Sequence, residues 1–241
     1  MKSLKDFDHI LPYIGDYQLP FPHPGSWALN EDSCKFLGTI MRTLKLEHVL
    51  EFGSGYSSSI VAFELEQKNN GLIESIDNSK YWSTQAACLA SESLLTHRIR
   101  FHVFPLCFRK YKSYASIFYK IDKRFYESKP MYDLVIVDAP HHDLARDGAV
   151  YEMIDKVNIG ALFFVDDSNT GHMQGTIKRW KQSFPKSISI REFNTIGNGI
   201  TIIKKEQQRN DEPVFNTLQC IEVWARTIRN YMRLKKMHVN E

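Results

Sequence analysis

A chain of 241 residues, 43% hydrophobic and 24% charged, is long enough for one α/β domain with additions and for a sizeable buried core. A net charge of +3 gives no global case for nucleic acid, and no apolar run nears the ~20 residues of a membrane span. Cys34, Cys88, Cys107 and Cys220 lie far apart with no CxxC pair, so they read as free thiols rather than a zinc site or a disulfide frame. With a polar start at Met1 to His9 that lacks a secretion signal, the expectation is a cytoplasmic protein.

Residues 1–29 carry Pro12, Pro20, Pro22 and Pro24 among aromatics, which predicts an extended arm rather than a helix. It is either a surface wrap or a lid over a ligand site with Trp27 packing inward. Asn30 suits a helix cap, with Glu31 and Asp32 in the first turn and Phe36, Leu37, Ile40, Met41 and Leu44 as the apolar stripe. A strand at 48–52 then runs into Gly53-Ser54-Gly55, and a helical pattern follows from Ser58 to Glu66. Gly53 allows a positive φ, and Gly55 has no Cβ, so a ligand can lie against the backbone there. The free N–H groups of the following helix face an electron-rich ligand. An ordinary βα turn with two glycines is the plainer reading.

Asn69-Asn70-Gly71 closes that helix, and Leu72 to Asp77 is a second strand ending in an acid. Asp77 follows Gly53 by 24 positions (77 minus 53), one βα unit, so in a parallel sheet the two strand ends are neighbours. A carboxylate there can accept hydrogen bonds from a ribose diol, or else cap the helix starting near Ser79. A helix at 80–95 and a third strand at 99–106 follow. Residues 107–129 are too long for a short connection. They hold Arg109, Lys110, Lys112, Lys120, Lys123, Arg124 and Lys129 against Asp122 and Glu127, interleaved with aromatics. They form either an amphipathic insertion with solvated lysines or a cap for an anionic or sugar-like substrate.

The fourth strand, 132–137, is apolar throughout and runs into Asp138-Ala139-Pro140-His141-His142. A helix at 148–157 and a fifth strand at 161–165 lead to Asp166-Asp167-Ser168-Asn169. After a helix at 172–183, strands at 188–193 and 200–204 are close enough for an antiparallel hairpin. The tail from Asn216 is one helix, with Leu218, Ile221, Trp224 or Ala225, Ile228, Tyr231 and Met232 on one face. Arg226, Arg229, Arg233, Lys235 and Lys236 load its end. Helix-dipole chemistry explains those basic residues; a homodimer contact or a membrane-surface contact is the alternative. The organisation expected is an N-terminal arm (1–29), a catalytic domain (30–205) and a basic helical tail (206–241).

Five βα repeats followed by a hairpin predict an α/β fold. Its sheet is mostly parallel, with one antiparallel strand near the edge and helices on both faces. Ligands in such sheets sit at the carboxyl ends of the strands, where Glu51, Asp77, Asp138, Asp166 and Asp167 all fall. The turn Glu51-Phe52-Gly53-Ser54-Gly55-Tyr56-Ser57 resembles the first motif of the Rossmann-like class I methyltransferases, which bind S-adenosylmethionine. The resemblance covers roughly residues 30–205, with Ser57 where a third glycine is usual. It implies that Gly53 and Gly55 lie against the methionine part, with Ser54 and Ser57 in the same turn. Glu51 then holds the amino group, often through water, Asp77 takes the ribose hydroxyls and Asp138 adds a contact from the fourth strand. The adenine contact is sought near Leu106-Cys107.

The pieces Asp138-x-x-His141 and Asp166-Asp167 resemble the metal-dependent sugar O-methyltransferases of macrolide and aminocoumarin biosynthesis. That resemblance implies Mg²⁺ held by Asp138, Asp166 and Asp167. Such an ion orients a sugar hydroxyl and lowers its pKa, and His141 takes the proton, with His142 one residue off that spacing. The plainer reading is that Asp166 and Asp167 cap the next helix and pair with Arg146 or Lys178, while Asp138 caps a turn at Pro140. The activity expected is S-adenosylmethionine-dependent O-methylation of a sugar or other small polar molecule, with Mg²⁺ assistance. A metal-free N- or carboxyl-methyltransferase and a non-catalytic binding protein are the alternatives. A nicotinamide oxidoreductase fits less well, because Gly53-x-Gly55-x-x-Ser58 lacks the third glycine of that fingerprint.

Overall fold

The computed structural model describes residues 4–25, 28–111, 114–141, 146–209 and 217–237. The first half holds α1 (Glu31–Thr43), β1 (His48–Phe52), α2 (Tyr56–Gln67), β2 (Leu72–Asp77), α3 (Lys80–Glu92) and β3 (Ile99–Val103). Next come β4 (Leu106–Tyr111), β5 (Tyr114–Tyr119), α4 (Lys123–Glu127), β6 (Tyr132–Val137) and α5 (Gly148–Met153). The last part holds β7 (Val157–Val165), α6 (Gly171–Ser183), β8 (Ile188–Phe193), β9 (Ile200–Lys205) and α7 (Thr217–Met237).

Seven strands form one sheet in the order β3-β2-β1-β6-β7-β9-β8. The first five are mutually parallel, and β9 runs antiparallel to both β7 and β8. The strand order reverses between β1 and β6, so the rim above them is the natural ligand crevice. The strands are apolar at successive positions because both faces are covered. Leu50, Phe52, Val135, Val137, Phe163 and Val165 pack with β5, α5 and α6 on one side. Val49, Ile73, Leu134, Ile136, Leu162 and Phe164 pack with α1 and α2 on the other.

Two expectations need correction, the extended arm and the end of the third strand. The start of the arm is not extended: Leu4–His9 and Leu11–Tyr13 are 3-10 turns. Phe7 and Ile10 are buried apolar anchors, and Pro12 sits in the first turn, where its missing N–H costs nothing. Trp27 lies outside the described residues. The third strand stops at Val103, and Leu106 opens a separate antiparallel hairpin, β4–β5. Every residue of β5 is buried, while Lys110 on β4 and Lys120 and Lys123 beyond β5 are exposed, as an amphipathic segment with solvated lysines requires. Finally, α7 lies on β5 and β4. Thr227 Oγ1 donates to Ala115 O at 2.9 Å, and Arg226 donates to Tyr114 Oη at 2.9 Å and to Asp147 Oδ2 at 2.6 Å.

Candidate active site

The glycine turn brings two strand ends together. Gly53 has φ +110°, and a Cβ there would meet Ala139 Cβ at 3.0 Å and Ala139 N at 3.1 Å. A side chain at this position would therefore be strained and would push β6 away from β1. Beside Gly55 there is open space: a Cβ built on it meets nothing within 4 Å. The turn is tied to the next strand, with Ser54 N donating to Asp77 Oδ2 at 2.9 Å and Ser54 Oγ bonded to Ser75 Oγ at 2.8 Å.

Glu51 has no exposed surface. Ser57 Oγ donates to its Oε1 at 2.5 Å, and Ser75 Oγ and Ser58 Oγ donate to its Oε2, the former at 2.7 Å. Ser57, the departure from the usual glycine, thus supplies a hydroxyl to the acid of the same motif. Burial pushes the Glu51 carboxyl up to about 7, against the three hydroxyls that favour its ionised form. Asp77 accepts from Ser54 N with one oxygen and from Ser79 N, at 2.7 Å, with the other. The cap of α3 is Ser79, whose Oγ accepts from Trp82 N, so Asp77 supports the turn before the helix rather than capping it. Burial raises the Asp77 carboxyl, and the negative charge of Asp138 adds to the rise. Asp138 acts on Glu51 in the same sense, so its charge reaches both.

At the ends of β6 and β7, Asp138, Asp166 and Asp167 each bring a carboxylate oxygen within 4.8 Å of the others. Asp166 is buried, and burial plus repulsion from Asp138 and Asp167 holds its carboxyl well above the usual range. Asp138 is raised too, by burial and by Asp167, with Arg146 opposing. Asp167 has φ +57°, a left-handed conformation that Asp adopts more readily than most residues. Among the described residues, the Arg146 side chain enters this cluster. Arg146 is 3% exposed and donates to Asp138 Oδ1 at 3.2 Å and Asp167 Oδ2 at 3.1 Å. Its other nitrogens reach the carbonyls of Pro140 and Asp166, both at 3.0 Å. A divalent cation would offset the mutual repulsion of these carboxylates and favour their ionised forms. Hard, clustered oxygen donors suit Mg²⁺, so the residues present fit that ion.

The residues singled out from the sequence thus meet along one rim: the Glu51–Ser57 turn, Asp77, and the cluster of Asp138, Asp166 and Asp167. His141 is exposed just beyond β6, and His142 lies outside the described residues. Sequence reasoning missed the positions of Ser58 and Ser75 against Glu51, and it named Arg146 only as one of two ion-pair partners for the Asp166-Asp167 step. Lys178 is not the partner; Arg146 is. The adenine contact sought at Leu106-Cys107 falls on β4, where Leu106 is buried.

No protein-family model matches the chain, and no curated protein matches its sequence. Solved structures match its architecture. The O-methyltransferase TomG from Streptomyces achromogenes, involved in tomaymycin synthesis and solved with S-adenosylmethionine, aligns with TM-score 0.58 and 17% identity, covering 86% of this chain and 92% of that one. The fold is that of the class I S-adenosylmethionine-dependent methyltransferases. The methyltransferase PaMTH1 of Podospora anserina, solved with S-adenosylhomocysteine, aligns with TM-score 0.58 and 15% identity over 83% of this chain and 88% of that one. An O-methyltransferase from Bacillus cereus, also in complex with S-adenosylhomocysteine, gives 0.54 and 15% over 84% and 92%. Within this methyltransferase fold, the open space at Gly55 and the five acids lie at the strand-order reversal. The helix α7 follows β9, the last strand of the sheet.

Proposed function

We propose that this chain is an S-adenosylmethionine-dependent O-methyltransferase, acting on a hydroxyl of a sugar or similarly small polar molecule with a divalent cation at Asp138, Asp166 and Asp167. The observation that carries the proposal is the meeting of the glycine turn, Glu51 and Asp77 with a three-carboxylate cluster on one rim. The solved neighbours with this fold, O-methyltransferases among them and several bound to S-adenosylmethionine or its product, support the choice of cofactor.

The cofactor supplies a methyl group already activated by its sulfonium, and Mg²⁺, when bound, supplies a Lewis acid that orients and acidifies the acceptor hydroxyl. The protein's part is placement and charge. Ionised Glu51, its oxygens buried behind Ser57, Ser58 and Ser75, acts on the amino group of the methionine part by its charge and through water rather than by direct contact. Bare backbone at Gly55 lets the ligand approach closely. Asp77 accepts from the ribose hydroxyls. A ring nitrogen of His141 would accept the proton of the acceptor hydroxyl. Arg146 holds Asp138 and Asp167 in place and cancels part of their repulsion.

A second reading rests on Arg146 itself: its guanidinium already bridges two of the three acids, so a metal-free enzyme acting on an amine or a carboxylate is the competitor. The test is calorimetry with S-adenosylhomocysteine, with NAD and with Mg²⁺, followed by turnover assays with and without EDTA. Low-micromolar binding of the first and none of the second is expected. Turnover that is indifferent to EDTA would favour the metal-free reading, and binding of NAD alone would end both.

A further inference from the structure

A helix packed on a protein normally turns its apolar side inward. On α7 the arrangement is reversed. The face against the hairpin buries Val223, Thr227 and Asn230, and it is pinned by polar contacts from Arg226 and Thr227. The apolar positions lie outside: Leu218 is 77% exposed, Ile221 60%, Ile228 51% and Met232 54%. At spacings of three, seven and four residues these form one stripe along the helix. Tyr231 and the half-buried Trp224 border it. The Trp224 ring packs tilted against Phe108, centroids 5.3 Å apart, and Phe108 is itself exposed on β4 near the exposed Lys110.

Charge decides what covers the stripe. Its polar flank carries exposed Arg229 and Arg233 against Glu222, and the helix sequence continues into Lys235-Lys236. Two copies laid stripe to stripe would bring both sets of arginines to one seam, and a single helical stripe offers less than the ~800 Å² per partner of a stable dimer. An anionic bilayer turns the same arginines into attraction, and it accepts the aliphatic side chains below the headgroups with the Trp and Tyr at their level. No helix among the described residues is long and apolar enough to cross a membrane, so the contact is with the surface.

We infer that α7 is an interfacial helix that docks this protein on an anionic lipid surface through Leu218, Ile221, Ile228 and Met232, with Arg229 and Arg233 on the headgroups. The inference does not depend on the methyl-transfer reading, because it uses no residue of the rim. The full-length protein is mixed with sedimenting vesicles of phosphatidylcholine alone and of phosphatidylcholine with phosphatidylglycerol. Binding is expected to the second only, and to fade as salt rises. Ile221→Glu with Ile228→Glu should weaken it about tenfold or more, and Arg229→Glu with Arg233→Glu should weaken it and remove its salt dependence. All four side chains are exposed, and an unchanged melting temperature shows that the variants are folded. No vesicle binding by the parent, or equal binding to both vesicle types, overturns the proposal. So does a concentration-dependent dimer that is abolished by the isoleucine substitutions in a protein that ignores vesicles; a second copy is then the occupant.

Discussion

Glu51 is a carboxyl whose charge changes near neutral pH, since burial sets it at about 7. Only the ionised form offers an anion to a cofactor ammonium. Affinity for S-adenosylhomocysteine, read by calorimetry, is therefore expected to rise from about pH 6 to about pH 8, with proton release on binding below neutrality. Glu51→Gln should bind more weakly, with a flat profile. A parent profile as flat as the variant's would remove Glu51 from the cofactor's amino group. Asp77 makes a separate case, because its oxygens serve both the backbone and the proposed ribose contact. Asp77→Ala is expected to weaken binding by about 1–3 kcal/mol, the cost of leaving polar partners unpaired. A melting curve is needed beside the titration, since Ser54 N and Ser79 N lose their acceptor too. An alanine variant that binds as tightly as the parent ends the ribose assignment.

At the level of elements, β1, β6 and β7 were legible because each is a largely apolar run closed by glycine or an acid, and β3 and β8 because apolar and polar residues alternate along them. The glycine turn was legible because Gly53 and Gly55 sit directly after such a run. The hairpin β4–β5 was not, because lysines and aromatics alternate through 107–129 in a way that suits an amphipathic surface equally well. What buries all of β5 is long-range: α5 and α7 cover it. The same holds for α7, where periodicity revealed an apolar face but not that Arg226 and Thr227, reaching Asp147 and Ala115, would turn that face outward. Arg146 was legible as one of two candidate partners, with Lys178, and its reach to both Asp138 and Asp167 in the fold is what selects it. Gly148 tests the packing of α5 on the hairpin. A Cβ there would lie 2.4 Å from Phe118 Cγ and 2.7 Å from Phe118 Cβ, atoms too near the backbone to swing aside. Gly148→Ala is expected to cost about 1–3 kcal/mol in urea unfolding, and an unchanged midpoint would show that α5 and the hairpin separate more easily than this contact implies.

For the molecule as a whole, the acidic rim is a cost that a ligand removes. Asp138 and Asp166 both have raised carboxyls, so between the ordinary carboxylate range and their folded values the native state holds protons that the unfolded chain has released. Stability therefore falls as pH rises through that window, the sign required when the unfolded state binds fewer protons. A bound divalent cation favours the ionised form and opposes the fall. It also adds stability by mass action, about 2.7 kcal/mol at a hundredfold excess over its dissociation constant. The melting temperature is thus expected to climb with Mg²⁺, more at neutral than at acid pH, and Asp167→Asn should lose both that climb and any Mg²⁺-dependent turnover while keeping S-adenosylhomocysteine binding. Arg146 separates the two readings of the cluster. Arg146→Met removes the guanidinium that bridges Asp138 and Asp167 and should cost about 3–5 kcal/mol without metal. If the cluster is a metal site, the variant carries one more net negative charge there, binds Mg²⁺ more tightly than the parent, and recovers part of the lost stability. If Arg146 alone is the cation these acids are built around, Mg²⁺ restores nothing, and the enzyme is metal-free.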